Sequence, residues 1–205
     1  MDLLIATGNA GKVKEFREML GADRFTWHDL SQFPQAVPVP ETGETFEANA
    51  SLKAAGYARQ AGMWALADDS GLEVDALGGK PGVHSARWAQ LNGTGAGDAD
   101  NNATLLKQLE NIPDDNRTAR FVCALALSDP SGRIVLTARD SVEGRILRAP
   151  RGANGFGYDP LFFVDSLGKT TAELAPEKKH DISHRGKALR RLREMMERGL
   201  ATSSE

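Results

Sequence analysis

Short apolar and polar blocks follow one another along the chain, and their periods predict strands and helices. Residues 3–6 are apolar and predict a first strand, which the segment TGNAGK ends. Apolar positions spaced three and four apart from Val13 onward then predict a helix. Residues 25–29 predict a second strand. The segment SQFPQAVPVPETGE follows, and its three prolines predict a long irregular loop.

The middle of the chain adds two helices and a buried strand. Residues 45–61 are rich in alanine and carry a helical apolar stripe. Residues 64–67 predict a short buried strand, which we expect to end abruptly at the polar segment DDSG before GGKPG turns the chain. Residues 98–109 predict a further helix, with Asp98 as its N-cap.

The last part of the chain predicts a hairpin and a closing helix. Residues 119–128 are apolar on both faces, as in a central strand, and DPSG joins them to residues 133–142 in an antiparallel hairpin. Residues 161–164 predict another strand, and Ser183 begins the last helix. Since the first strand feeds a helix and a later pair forms a hairpin, we expect an α/β fold with a mixed sheet.

Composition narrows the function classes. A chain of 205 residues with 40% apolar and 26% charged residues is typical of one globular domain, which we assign to residues 1–205. The net charge of −3 gives no general reason to bind nucleic acid. The sole cysteine, Cys123, lies in the apolar FVCALAL, which predicts a core thiol and a reducing, cytoplasmic location. No apolar run approaches the ~20 residues of a membrane span, so no membrane partner is expected.

The segment TGNAGK is a candidate anion site. It lies at a predicted strand-to-helix turn, where unpaired amide N–H groups and the helix dipole favour an anion, and Lys12 adds a positive charge. Phosphate is the obvious ligand, although the spacing fits neither the P-loop nor the dinucleotide-binding glycine pattern. From these residues alone, an ordinary tight turn is an equally good interpretation.

Five carboxylates offer the oxygen ligands that Mg²⁺ prefers. They are Glu41, Glu44, Glu47, Asp68 and Asp69. Asp68 and Asp69 are neighbours on a predicted strand and should point to opposite faces, so both reach one site only if the strand turns at the following Ser-Gly pair. Capping of a turn or a helix is the alternative role for this pair.

Two later segments are candidates for binding a flat or anionic ligand. In GFGYDP the glycines let the backbone approach a ligand, Phe156 or Tyr158 offers a stacking face, and Asp159 offers an acceptor; packing is the alternative. The segment EKKHDISHRGK places cations near the start of the last helix. There they oppose the helix dipole unless an anion or a polar ligand is held beside them.

Together these segments resemble one family, the inosine triphosphate pyrophosphatases, which include the RdgB-like dITP/XTP pyrophosphatases. The matching segments run in family order across nearly the whole chain: ATGNAGKVKE, ETGETFEANASLKA, ADDSGLEVDALGGKPGVHSARW, FGYDPLFF and ISHRGKAL. The resemblance implies an elongated, twisted mixed sheet flanked by helices, with two lobes and a central cleft, and a homodimer. It also implies Mg²⁺-dependent cleavage of non-standard purine nucleoside triphosphates (dITP, ITP, XTP) to the monophosphate and pyrophosphate.

The same resemblance assigns roles to individual residues. Asp69 would be the general base, with Asp68 and Lys53 completing the catalytic set, and Glu41 and Asp69 would hold Mg²⁺. The other assigned residues would bind substrate: Thr7, Gly8, Asn9, Ala10, Gly11, Lys12 and Ser70 the triphosphate, and Phe156, Gly157, Tyr158, Asp159, Lys179, His184 and Arg185 the base. The departures from the family pattern are Trp88, where tyrosine is common, and the glycine-rich residues 91–98.

A cationic base pocket makes chemical sense for these substrates. Hypoxanthine and xanthine carry an acceptor oxygen at C6 where adenine carries an amino donor, so a pocket rich in donors favours the oxygen. Two alternatives stay open. One is a less selective nucleotide pyrophosphatase, and the other is a non-enzymatic nucleotide-binding module. The five carboxylates argue against the second, because they repel phosphate unless a metal bridges them.

Overall fold

The computed structural model describes residues 2–20 and 25–201. The strands in these ranges are β1 (Asp2–Ile5), β2 (Thr26–Asp29), β3 (Trp64–Val74), β4 (Thr118–Ser128), β5 (Ile134–Ile146), β6 (Phe162–Val164) and β7 (Lys169–Thr170). The helices are α1 (Ala10–Leu20), α2 (Phe46–Ala61), α3 (Trp88–Leu91), α4 (Asp98–Gln108), α5 (Pro176–Ile182) and α6 (His184–Ala201). None of these helices is long and apolar enough to cross a membrane.

The seven described strands form one mixed sheet in the order β2-β1-β3-β4-β5-β6-β7. Strand β1 pairs in parallel with both β2 and β3, whereas β6 pairs antiparallel with both β5 and β7. Only five residues separate the neighbouring strands β4 and β5, and a link this short joins antiparallel strands. The predicted α/β fold with a mixed sheet is confirmed.

Strand β3 is longer than the sequence predicts. We expected it to end at DDSG, but it runs through this segment from Trp64 to Val74. The prediction was wrong because buried cations satisfy the two aspartates, so the polar segment does not break the strand. Gly71 serves close packing rather than a turn, since a Cβ there would collide with the Ser85 hydroxyl and the Gly82 carbonyl oxygen.

Helix boundaries differ from the prediction at two places. Gly97, at φ 87°, is the N-cap of α4, and Asp98 is the first helical residue rather than the cap. Ser183, the predicted first residue of the last helix, is instead the C-cap of a separate helix, α5, which ends at Ile182, and α6 begins at His184. A proline at the first position of α5 favours this separate start.

The described residues divide into two compact units. The first takes its residues from 1–69, 123–140 and 185–205, and the second takes them from 70–122 and 141–184. Each unit has its own apolar core. The single domain predicted for residues 1–205 and the cleft implied by the family resemblance stay predictions.

The first unit has helices on both faces of its strands. One face of the sheet packs against Phe16 of α1 and against Ala188, Leu189 and Leu192 of α6. The strand residues on this face are Leu3, Ile5, Leu66, Cys123, Leu125 and Leu127. The opposite face carries small residues such as Ala65 and Ala67, because successive side chains alternate across a strand. Helix α2 lies on this opposite face, since its Asn49 and Lys53 contact Asp69.

Arg117 is an unusual side chain in the second unit. Its guanidinium is fully buried, yet none of its hydrogen-bond acceptors among the described residues is a carboxylate. It donates to three carbonyl oxygens, those of Ile146 at 2.7 Å, Leu109 at 2.5 Å and Leu147 at 3.0 Å. Burial is the largest influence on this guanidinium and lowers its pKa. The Arg117 side chain thus satisfies backbone carbonyl groups at the ends of both α4 and β5.

We predict that Arg117→Ala strongly destabilises the fold. Removing the guanidinium leaves three carbonyl oxygens without their donor, at about 1–3 kcal/mol each, so the free energy of unfolding should fall by about 3 kcal/mol or more. Urea denaturation measures this loss. Arg148→Ala is the matched control: Arg148 also donates to two carbonyl oxygens, of Glu110 and Ile112, but it is half exposed and water can replace it. An equal loss in both variants would contradict the prediction.

Candidate active site

The loop between β1 and α1 has the geometry of an anion site. Asn9 caps the helix, since its Oδ1 accepts from the Lys12 amide at 3.0 Å, and the Thr7 hydroxyl accepts from the Asn9 amide at 3.2 Å. Gly8, Asn9 and Ala10 are exposed, and the first turn of the helix carries no acid. The positive end of an 11-residue helix therefore faces solvent along this loop.

Gly8 is not required by the packing of the protein itself. A Cβ there would meet no atom within 4 Å, and its φ is outside the left-handed region. The glycine therefore leaves room for a ligand to approach the backbone. A cavity of about 450 Å³ opens beside the loop, lined by Thr7, Gly8, Ala10, Val13, Lys14, Arg17, Glu18, Asp29, Leu30 and Ser31.

Asp68 forms the centre of a buried charge cluster in the first unit. It is an ion-pair partner of Lys12, and its Oδ2 accepts from Arg185 Nε at 2.9 Å. Arg185 also pairs with Glu15, which lies on the same helix as Lys12. Burial alone would raise the pKa of the Asp68 carboxyl, but the charges of Arg185 and Lys12 outweigh it and hold that pKa well below its usual range.

Cys123 completes the Asp68 cluster. Its thiol donates to Asp68 Oδ2 at 3.1 Å, and the side chain is fully buried, which confirms the predicted core position. Burial and then the nearby carboxylate charge raise the pKa of this thiol well above its usual value. The cysteine is therefore a protonated donor to Asp68 rather than a thiolate.

Asp69 forms a second cluster on the opposite side of β3. Its Oδ1 accepts from Lys53 Nζ at 2.7 Å, and its Oδ2 accepts from Asn49 Nδ2 at 3.3 Å. Glu41 Oε1 lies 3.5 Å from the same Lys53 nitrogen. Burial raises the pKa of Asp69, because it outweighs the opposing charge of Lys53. Asp69 therefore holds a proton more readily than an ordinary aspartate.

The proline-rich loop that carries Glu41 is attached to α2 by hydrogen bonds. Gln60 Oε1 accepts from the Val37 amide at 2.7 Å and Gln60 Nε2 donates to the Val37 carbonyl at 3.0 Å. Asn49 Oδ1 accepts from the Gly43 amide at 2.8 Å. Gly56 permits the close approach, since a Cβ there would lie 2.6 Å from Val39. These contacts place Glu41 beside Lys53 although the loop has little regular structure.

The second unit holds a cluster around Asp159. Its Oδ2 accepts from Lys179 Nζ at 2.7 Å and from the Phe156 amide at 2.8 Å, and its Oδ1 accepts from the Thr171 hydroxyl at 2.8 Å. Lys179 Nζ lies 5.1 Å from the centre of the Phe156 ring. Gly155 is required here, because a Cβ would collide with the Asp159 carboxylate.

Three other predicted base-binding residues make their contacts outside the Asp159 cluster. Tyr158 is a core residue, 4% exposed, and its hydroxyl donates to the Ser85 carbonyl at 2.9 Å, so Phe156 rather than Tyr158 presents a half-buried ring. His184 stacks on Phe121 with ring centres 4.9 Å apart. Arg185 belongs to the Asp68 cluster in the first unit.

The structure thus divides the predicted catalytic residues between two clusters. Lys53, Glu41 and Asp69 come together on one side of β3, while Asp68 joins Lys12 and Arg185 on the other. Ser70 follows Asp69 on the strand and is half buried. The sequence analysis missed Glu15 and Asn49, although each had a signal. Both are polar residues at helical spacing from a predicted site lysine, three residues after Lys12 and four before Lys53.

Comparisons with known proteins show the family of this chain. The model of the Ham1 family matches residues 3–195. This chain belongs to the Ham1 family. The predicted resemblance is thereby confirmed.

Relatives of this Ham1 chain match it over nearly their whole length. A dITP/XTP pyrophosphatase of Exiguobacterium sibiricum is 53% identical and aligns over 94% of this chain and 95% of its own. One of Geobacillus kaustophilus is 51% identical, over 96% and 94%. The solved structure of a HAM1 protein from Coxiella burnetii matches with a TM-score of 0.86 at 40% identity, covering 97% of this chain and 99% of that one.

We predict that neutralising the two neighbouring aspartates has unequal effects on stability. Asp68→Asn removes the carboxylate that pairs with the buried Arg185 and the half-buried Lys12, so unfolding free energy should fall by about 3 kcal/mol or more. Asp69→Asn should cost less, because Lys53 keeps Glu41 as a neighbouring carboxylate at 3.5 Å and burial opposes the charged form of Asp69. Denaturant unfolding of both variants at pH 7 measures the difference, and equal losses would contradict it.

Proposed function

We propose that this chain hydrolyses non-standard purine nucleoside triphosphates, such as dITP, ITP and XTP, to the monophosphate and pyrophosphate. One observation carries the proposal: Asp69 is a buried carboxylate with a raised pKa, held by Lys53 and Asn49 beside Glu41. Relatives about half identical over nearly the whole chain carry the name dITP/XTP pyrophosphatase, which supports this substrate class.

The first step is binding of the triphosphate, which we assign to the loop Thr7–Lys12. Amide groups at the start of α1 donate to phosphate oxygens, and Gly8 leaves room for them. Lys12 and Lys53 supply the positive charge. Lys12 is paired with Asp68 and its side chain is only 13% exposed, so it needs little further ordering when phosphate binds.

The chemical step is attack of water at phosphorus, for which Asp69 is the general base. A base acts best when its pKa lies close to the working pH, and burial moves the pKa of Asp69 in that direction. Asn49 fixes one carboxylate oxygen and Lys53 the other, so the orientation of the base is set before the water binds. Asp68 acts through Lys12 and is a positioning residue.

The acidic residues here suit a magnesium ion shared with substrate. Glu41 and Asp69 both contact Lys53, and two carboxylates are what a protein usually offers Mg²⁺, with waters and phosphate oxygens as the other ligands. Among the described residues, no three His, Cys, Asp or Glu side chains form a group that could hold a metal ion. When bound, the ion neutralises phosphate charge.

We assign recognition of the base to Lys179 and Phe156. The Lys179 ammonium is a donor that suits the 6-oxo group of hypoxanthine and xanthine, while adenine would present its amino group instead. Leaving a buried donor unpaired costs about 1–3 kcal/mol. The half-buried Phe156 ring offers a face for stacking. We also propose that other residues contribute to base binding, namely Gly157, Tyr158, Asp159, His184 and Arg185. We further propose that the protein is a homodimer and that it is cytoplasmic.

The first test measures cleavage position and base preference together. Purified protein with Mg²⁺ is incubated separately with ITP, XTP, GTP, ATP and dUTP, and pyrophosphate and orthophosphate are quantified. We expect pyrophosphate from ITP and XTP and little product from ATP. Orthophosphate alone would overturn the proposed cleavage position. No turnover of any triphosphate would overturn the proposal as a whole and favour a nucleotide-binding module.

The second test isolates the general base. Asp69→Asn keeps the shape and hydrogen-bonding reach of the side chain but not its basicity, so kcat for ITP should fall by at least ~10²-fold with folding unchanged. Glu47→Gln is the matched control: it makes the same change of group at an exposed carboxylate that pairs with Arg139, and activity should be retained. Near-normal kcat in Asp69→Asn would exclude it as the base.

A further inference from the structure

Two side chains of one helix in the second unit form hydrogen bonds with the backbone of Gly157. Asp98 Oδ2 accepts from the Gly157 amide at 2.7 Å, and Asn102 Nδ2 donates to the Gly157 carbonyl at 3.0 Å. Asp98 and Asn102 are four residues apart on α4, so both lie on the same helix face. Both polar backbone groups of Gly157 are therefore fixed by α4, across more than fifty residues of chain.

The amide of Asn102 has one favourable orientation. Its Oδ1 is buried and has no hydrogen-bond partner among residues 2–20 and 25–201. Turning the amide over would set this oxygen against the Gly157 carbonyl, so the observed orientation is the favourable one.

The two contacts fix the residue next to the proposed base-stacking ring. Gly157 has φ 61°, a left-handed conformation, and directly follows Phe156, whose amide donates to Asp159. With Phe156 held on one side by Asp159 and Gly157 held by α4, the ring stays 5.1 Å from Lys179 Nζ. A loop with free glycines would otherwise move this ring.

We propose that Asp98 and Asn102 are specificity-determining positioning residues, which hold Gly157 so that Phe156 and Lys179 keep the arrangement that selects the purine base. The inference rests on the proposed function, since it concerns the base-recognition part of that reaction. Neither residue touches the substrate in this proposal. Their effect should therefore show in base selectivity and not in phosphate binding.

The test compares four variants with the wild type. Asp98→Ala and Asn102→Ala each remove one contact to Gly157, and Asp98→Asn keeps an oxygen acceptor of the same reach. Asn101→Ala is the matched control, because Asn101 makes the same kind of backbone contacts from the same helix, to Ala89 at 2.8 Å and Ala86 at 3.2 Å, away from Gly157. For each protein, kcat/KM is measured with ITP and ATP, and dissociation constants are measured by calorimetry for IMP and for pyrophosphate.

We expect the ratio of kcat/KM for ITP to that for ATP to fall about 10-fold in both alanine variants, as for loss of one hydrogen bond. The affinity for IMP should fall by a similar factor while the affinity for pyrophosphate is unchanged. Asp98→Asn should restore most of the selectivity, and Asn101→Ala should lose stability but keep selectivity.

Two outcomes would overturn the inference: wild-type selectivity in both alanine variants, or equal loss of IMP and pyrophosphate affinity. If one alanine variant does not fold, the other and Asp98→Asn still decide the question. Absence of pyrophosphate release from ITP by the wild type would instead count against the proposed function, and the IMP and pyrophosphate affinities of the variants would still test the positioning role.

Discussion

The burial of the Asp68 carboxylate in the first unit is the constraint on which the rest of the site depends. An isolated ionised carboxylate is very costly in the protein interior, so it must be paired and hydrogen-bonded. Lys12 from α1, Arg185 from α6 and the thiol of Cys123 from β4 meet this requirement together. Because all of them converge on one side chain, the first turns of α1, the last helix and β4 are held together by the same carboxylate.

Strand geometry lets two adjacent aspartates have different roles. Successive side chains point to opposite faces of β3, so Asp68 enters the layer of α1 and α6 while Asp69 faces α2. The pKa of Asp68 is lowered because two cations outweigh its burial, and the pKa of Asp69 is raised because burial outweighs Lys53. The first carboxylate therefore stays ionised more readily than an ordinary aspartate, and the second binds a proton more readily.

The sequence predicts most elements of the fold because local periodicity sets them. It predicts the strand, loop and helix around Lys12, the helix beginning after Thr45 and the hairpin at DPSG. The prediction was wrong where distant partners decide the structure. DDSG looks like the end of a strand, but Arg185 lies 117 residues from Asp68 and pairs with it, which nothing local indicates. Likewise, burial of Tyr158 follows from tertiary packing.

Local sequence chemistry reveals only some of the residues of the candidate site. The sequence shows which side chains could bind phosphate or metal, but it does not show which residues hold those side chains in position. Asn49 and Glu15 are positioning residues of this kind. The same distinction applies to the loop of Phe156. Its glycines look like flexibility in the sequence, whereas in the fold Asp159 fixes the Phe156 amide and α4 fixes Gly157. If a base stacks on this ring as we propose, a ring held in this way loses little conformational entropy, so more of the contact energy is available to distinguish one purine from another.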